Sequence, residues 1–439
     1  MRLLAFQGLR YAGRAGDADR LAAPPYDQID DAARDRFHAA SPYQFVHLTR
    51  PAGEPDPYRH AAELHGRWLR EGIIARDQRP ALYPYVVELG GAPAGTAAGA
   101  AAGHRRLGVM ALVPYAPPSE IRPHEQTLDK PLADRLALLE AMRVDLEPAL
   151  LLAEDDGRLD ALLAADLDGA GRAPLAPLAP LVGYRDAEGH QHLLFRIDDP
   201  ARIAAYQEAV AGRPAAIADG HHRYKVGQRF AAQHHAAPGS AAAAKLAVVT
   251  SMSSRALTID PIHRALRQPT PPLDPARLAG FRRSAQPFPK AAHGADAADA
   301  AHAADAAAGA ELARAVAAAP QPALGVWVAG QAPEIWHLSP DSPGAPLVVE
   351  IFQRALLPAL GLPAEAATDG TLVYRSNPDE LYAQVARGEL GTGFWLPPMR
   401  PADFAAAVAR GELLPPKSTR FLPKAMSGLV WADHDSRVL

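Results

Sequence analysis

Cysteine is absent from all 439 residues. That single absence excludes a disulfide framework, a cysteine nucleophile and a thiolate metal site. Long apolar runs are also missing: the alanine-rich stretches are broken by Gly, Asp, His and Pro, so none is long enough to cross a bilayer. There is no excess of positive charge. The formal net charge is −4, which argues against broad affinity for nucleic acid or an anionic membrane. The opening residues, Met1 to Arg10, lack the apolar core and cleavage site of a secretory signal, so a cytoplasmic location is expected.

What is present suits a folded globular chain, with 48% hydrophobic and 21% charged residues over a length that suggests two or three structural units. Abundant Ala with Gly 34, Pro 43 and Arg far above Lys looks like compositional drift, so alanine carries little helical information. Hydrophobic periodicity is more useful. Tyr83 to Leu89 and Arg106 to Val113 read as the two strands of a hairpin around the Gly/Ala-rich segment 90–103. Residues 60–72 read as a helix through Ala61, Leu64, Trp68 and Leu69, and Leu132, Leu136, Leu139 and Met142 mark another. Short apolar strands are expected at 149–153, 192–197, 245–250 and 324–328, whereas 291–319 is low in complexity. The mixture predicts an α/β (α+β mixed) fold.

The most informative passage is Pro214 to Lys225. A short apolar strand runs into Asp219-Gly220, then into a helix opening with His221, His222 and Arg223 and placing Tyr224, Gly227, Phe230 and Ala231 on one face. Glycine at the turn permits positive φ and close approach of a ligand. The helix N-terminus favours an anion, and Arg223 can grip a phosphate through two nitrogens. Asp219 can hold a metal ion, accept a proton or orient a histidine. Earlier in the chain, His124-Glu125-x-Thr127 lacks the second histidine of a zinc-protease motif. Glu125 is a candidate general base or metal ligand there, while His124 and Thr127 can touch phosphate. Asp134 and Arg135 read as a surface pair, Pro24-Pro25-Tyr26-Asp27 as a rigid turn, and His263-Arg264 as structural. Lys417-Ser418-Thr419-Arg420, with Lys424, concentrates positive charge and hydroxyls between prolines.

The segment Ile217 to Tyr224 resembles the strand-to-helix signature of the ParB/sulfiredoxin superfamily, whose related loop binds nucleotide phosphates. The chain as a whole resembles a bacterial family of unknown function (DUF1015) through the Pro24, Ser41-Pro42-Tyr43, Arg122 to Thr127, Asp219, Pro261 to Arg264 and Pro416 to Lys424 motifs. The resemblance implies a ParB/sulfiredoxin-like core with additional α/β elaborations. A catalytic region would span 1–270, and a C-terminal region, 271–439, would bring its Lys417-Ser418-Thr419 stretch to the site. Its superfamily includes free-serine kinases, which implies a nucleotide-dependent phosphotransferase acting on a small hydroxyl metabolite such as serine or phosphoserine. Gly220, His221, His222 and Arg223, with Thr127, Lys417, Ser418 and Thr419, would bind ATP or ADP. Glu125, Asp219 and His124 would act in catalysis, with Mg²⁺ held by Asp219 and Glu125. The expected partners are a nucleotide and a small molecule, without nucleic acid or membrane, and a homodimer is compatible. Two other readings are a nucleotide-gated switch of the ParB type and a metal-dependent phosphohydrolase, which DNA retention and metal analysis would separate.

Overall fold

The computed structural model describes residues 1–53, 55–90, 105–125, 130–168, 178–270, 281–287, 308–340 and 347–439. They form a mixed α/β structure of two compact units. The first unit takes described residues before 258 together with 423–439, and the second takes 258–422. The boundary expected after 270 therefore falls after 257, and the last stretch of chain rejoins the first unit.

The first unit is organised by an eight-stranded sheet. Its strands are β1 (Tyr83–Glu88), β2 (Arg105–Pro114), β3 (Ile121–Arg122), β4 (Ala149–Ala153), β5 (Val182–Arg185), β6 (Gln191–Leu194), β7 (Ala215–Asp219) and β8 (Ala244–Ser251). They lie in the order β3-β7-β4-β8-β2-β1-β6-β5. The expected hairpin is β1 against β2, antiparallel from Tyr83 opposite Met110 to Glu88 opposite Arg105. β8 runs parallel to β4 and antiparallel to β2, and every one of its residues is buried, the polar Lys245, Thr250 and Ser251 along with the apolar Leu246 to Val249. The strand expected over 192–197 is shorter: β6 ends at Leu194, and Ile197 pairs only in an isolated bridge with Leu82.

Alternation along β2 sorts the sheet into two faces. Leu107, Val109, Ala111 and Val113 join Leu151, Ile217 and Val249 in one core, covered by α3 (Arg158–Asp168) and α4 (Pro200–Val210) through Leu159, Leu163, Ile203 and Tyr206. Burial of each such side chain contributes roughly 1.5–3 kcal/mol. Arg106, Gly108, Met110 and Leu112 point to the opposite face. Of the helices placed before the sheet's second half, α1 (Pro57–Arg70) starts where the Asp56 carboxylate accepts from the Tyr58 and Arg59 N–H groups with Pro57 in the first turn. It buries Ala61, His65 and Trp68, one face at helical spacing. α2 (Lys130–Met142) and α5 (His221–Gln233) pack together.

The second unit holds a wholly antiparallel six-stranded sheet with its own cores. Its strands are β9 (His263–Leu266), β10 (Phe281–Pro287), β11 (Ala323–Val328), β12 (Glu334–Pro340), β13 (Leu372–Arg375) and β14 (Thr392–Trp395), in the order β10-β12-β11-β14-β9-β13. Leu266, Val326 and Phe394 pack on one side, and Ala265, Val316 and Trp395 on the other. The low-complexity stretch 291–319 is described only from 308, where Ala308–Ala318 is a helix. Among the described residues no helix is long and apolar enough to cross a membrane.

Candidate functional site

β7 runs directly into α5, as the apolar run followed by Asp-Gly predicts. β7 lies parallel to β3 and antiparallel to β4, and its register slips between Ile217 and Asp219. Gly220 follows with φ 86° and ψ 30°, a left-handed conformation that disfavours any residue with a Cβ. A Cβ there would also stand 3.1 Å from the Arg223 side chain and 3.2 Å from the Ala149 Cα. α5 begins at His221, and no side chain caps it. A 13-residue helix thus presents its positive end at the turn, the geometry that accepts an anion.

The charges behind the turn are arranged differently from the expectation. Arg223 is buried and points inward, donating from Nη2 to Asp219 Oδ2 at 2.5 Å and from Nη1 to the Pro148 carbonyl. It is a clamp on the strand-to-helix turn and not an open fork for phosphate. Asp219 is held from its other oxygen by Lys424. Burial alone would raise the Asp219 carboxyl, but Lys424 and Arg223 outweigh it and hold the group ionised well below the usual carboxylate range. A carboxylate so stabilised is a weak base, and both oxygens already face cations. Neither the proton-acceptor role nor the metal-ligand role expected of Asp219 fits this geometry. Among the described residues no three His, Asp or Glu side chains group as a metal-holding set.

The histidines divide into an inner and an outer one. His124 is fully buried, and its Nδ1–H donates to the Ile217 carbonyl at 2.6 Å, tying its loop to β7. Burial lowers its pKa to about 4, so the ring is neutral near pH 7. Its backbone N–H donates to His221 Nε2 at 3.3 Å, and the two rings meet edge-on at 4.6 Å. His221 is half-buried and its pKa is pushed well below the usual value, by burial first and by His124 next. His124 therefore positions His221 and is too enclosed to be a proton shuttle. His222 and Glu125 are both half-buried, with Glu125 the last described residue before 126–129. Thr127 lies outside the described residues.

Lys417, Ser418 and Thr419 belong to the second unit. There the Lys417 carbonyl accepts from Arg264 at 3.3 Å, and Ser418 Oγ donates to the Pro415 carbonyl at 2.6 Å. His263, in the same unit, is buried and accepts the Leu396 N–H at 3.2 Å, a structural role as expected. The residue of the tail that reaches Asp219 is Lys424, in the stretch that rejoins the first unit. Its signal in the sequence was present, as a lysine beyond the proline-bounded run, but nothing local tied it to position 219.

A cavity of 530 Å³ in the first unit is lined by Tyr26, Asp27, Arg50, Tyr58 and Arg135, among others. Arg135 is not a surface residue: it stacks 4.3 Å from the Tyr26 ring centroid and donates to the Thr49 carbonyl at 2.6 Å as well as to Asp134. The Tyr26 N–H donates to Glu147 Oε1 at 2.8 Å, and burial pushes the Tyr26 phenol up to about 12. Glu147, which accepts from Tyr26, is followed by Pro148, whose carbonyl accepts from Arg223, so one short stretch of chain links this cavity wall to the clamp behind the Asp219 turn. The Pro24-Pro25-Tyr26-Asp27 turn thus builds a cavity wall.

The family described as "Protein of unknown function (DUF1015)" matches residues 3–295. The chain belongs to that family. No curated protein matches. Among solved structures, the family chain is similar to a conserved hypothetical protein from Pyrococcus furiosus, at 15% identity and a TM-score of 0.34, covering 71% of this chain and 90% of that one. A free serine kinase in complex with AMP is similar at 16% identity and a TM-score of 0.34, with 71% and 88% covered. C-terminally truncated SbnI from Staphylococcus aureus follows at 12% identity and 0.33, with 72% and 84% covered. At that level of likeness they assign neither reaction nor ligand to this chain.

Proposed function

We propose that the protein transfers a phosphoryl group between ATP or ADP and a small hydroxyl metabolite, with serine and phosphoserine as the acceptor pair. The observation that carries this reading is the left-handed Gly220 at the head of the uncapped helix α5, flanked by His221, His222 and the Lys424–Asp219 pair. The loop is read as ParB/sulfiredoxin-like on its residues alone. The nucleotide phosphates lie over the first turn of α5, where the helix dipole and Lys424 meet their charge. Lys424 exchanges part of its interaction with Asp219 for a phosphate oxygen, while Arg223 keeps Asp219 in place. The acceptor occupies the 530 Å³ cavity lined by Tyr26, Asp27, Arg50 and Arg135. Its hydroxyl oxygen attacks the terminal phosphorus as Glu125 takes the hydroxyl proton, and the bond from that phosphorus to the departing nucleotide oxygen breaks. Mg²⁺ held by Asp219 and Glu125 does not fit, because Lys424 and Arg223 occupy both Asp219 oxygens, and no step depends on it.

The test is a thermal-shift series with ATP or ADP, each with and without serine or phosphoserine. A ligand bound by the native state raises Tm by linkage, by about 2.7 kcal/mol of stability at a hundredfold excess over Kd. We expect one nucleotide to raise Tm and its acceptor to raise it further. If neither nucleotide moves Tm, the proposal falls. In Glu125→Gln the nucleotide shift should persist while transfer, followed by phosphorus NMR, is lost. A fully active variant would remove Glu125 from the chemistry.

A further inference from the structure

Arg106 takes no part in that scheme, and its surroundings demand an explanation. It lies on β2, is 1% exposed, and both of its Nη atoms are buried with no hydrogen-bond partner among the described residues. A guanidinium cannot shed its proton to escape the cost of burial. Buried polar groups in folded proteins are almost always paired, and an uncompensated buried ion is among the most costly features a fold can keep.

Among the described residues, its neighbours do not supply the missing charge. Asp219 is the carboxylate whose field reaches Arg106, and it is already bonded to Arg223 and Lys424. Asp186 bonds His192 at 2.9 Å, and the Tyr85 hydroxyl is engaged with His192 Nδ1 at 2.6 Å and with the Met426 N–H. Arg106, Arg223 and Lys424 therefore share Asp219 within one region of the first unit. A buried water would satisfy the hydrogen bonds of Arg106 but not its charge.

A second buried group points the same way. Thr250 on β8, the strand next to β2, is 0% exposed, and its Oγ1 has no hydrogen-bond partner among the described residues. Gly108 links the two: it follows Arg106 by two residues on the same face, and a Cβ there would stand 2.8 Å from Thr250 Oγ1. A guanidinium with both Nη atoms unused and a neighbouring hydroxyl form a donor set for two or three oxygens of one group.

We propose that Arg106 and Thr250 form a buried binding site for a small oxyanion, the phosphate or carboxylate group of a metabolite. The two Nη atoms of Arg106 take two oxygens, and the Thr250 hydroxyl donates to an oxygen of the same group. The site does not depend on phosphoryl transfer, since any ligand carrying such a group completes it.

The experiment compares the full-length wild type, Arg106→Met and Thr250→Val by thermal shift. Sodium phosphate and sodium acetate are titrated separately at constant ionic strength. Phosphate, acetate or both should raise the wild-type Tm in a saturable way, and which of them does so identifies the group. Arg106→Met should match or exceed the wild-type Tm without anion, because it removes an uncompensated charge, and should bind at least ~10-fold more weakly. Thr250→Val keeps the shape of the side chain and should bind roughly fivefold more weakly, which provides a second test if Arg106→Met does not fold. A wild type that responds to neither anion overturns the site, as does undiminished binding in either variant. Failure of both anions while ATP or ADP still stabilises the protein sinks this site alone. Stabilisation by phosphate or acetate, lost in Arg106→Met, while neither nucleotide acts sinks phosphoryl transfer alone.

Discussion

Arg223 illustrates how little a residue's identity says about its direction. As the third cationic residue after a glycine turn it reads as a phosphate ligand, yet its guanidinium is turned inward onto Asp219 and the Pro148 carbonyl. Removing one member of a buried pair strands the other charge, so Arg223→Ala should destabilise the protein by about 3–5 kcal/mol. Urea denaturation would measure this, and wild-type stability in the variant would show that the pair contributes nothing. The same reasoning separates Lys424 from its neighbours Lys417, Ser418 and Thr419. All four stand in one basic run, but in the first unit it is Lys424 that meets Asp219. His124 was legible as a conspicuous histidine, and its fully buried, neutral state was not, because burial depends on what packs around it.

At the scale of elements, local chemistry was a better guide. The β1–β2 hairpin, β4, β8 and the passage from β7 to α5 all follow from apolar runs bounded by turn residues. Two glycines carry the strand-to-helix passage for different reasons. Gly220 supplies a left-handed turn, so Gly220→Ala should cost roughly 1–2 kcal/mol through backbone strain. Gly227 allows α5 to pack against Tyr115, whose hydroxyl would stand 1.9 Å from an added Cβ. Gly227→Ala should therefore cost about 1–3 kcal/mol by overpacking. Chemical denaturation checks both, and a Gly227→Ala protein as stable as the wild type would mean that Tyr115 moves aside freely. β6 is shorter than its apolar run because its regular ladders with β1 and β5 end at Leu194, beyond which single bonds such as Phe195 N–H to the Pro84 carbonyl continue, and an apolar run does not reveal where a ladder stops.

For the whole molecule, buried neutral histidines set a pH dependence. Burial lowers His65 and His124 in the first unit to about 4 and His263 in the second to about 3, from an ordinary value of 6.5. The unfolded chain binds protons at these groups more readily than the folded one, so their contribution is complete above about pH 6.5 and is lost as pH falls towards 4. Each should cost on the order of 2 kcal/mol by pH 5. Urea midpoints at pH 7.5 and 5 would show the loss, with a smaller slope in His124→Gln; equal midpoints would mean the rings are not held neutral. By itself the sequence determined the mixed α/β class, most of the elements and the loop that draws attention, because backbone preference and hydrophobic period act over a few residues. Only the tertiary structure decided the charge partners. Asp219 meets a lysine 205 residues further along the chain, and Arg106 sits on a strand face where its two Nη atoms have no hydrogen-bond partner among the described residues. Electrostatic pairing and burial depend on distance in space, and folding brings such residues together without leaving a local trace in their order.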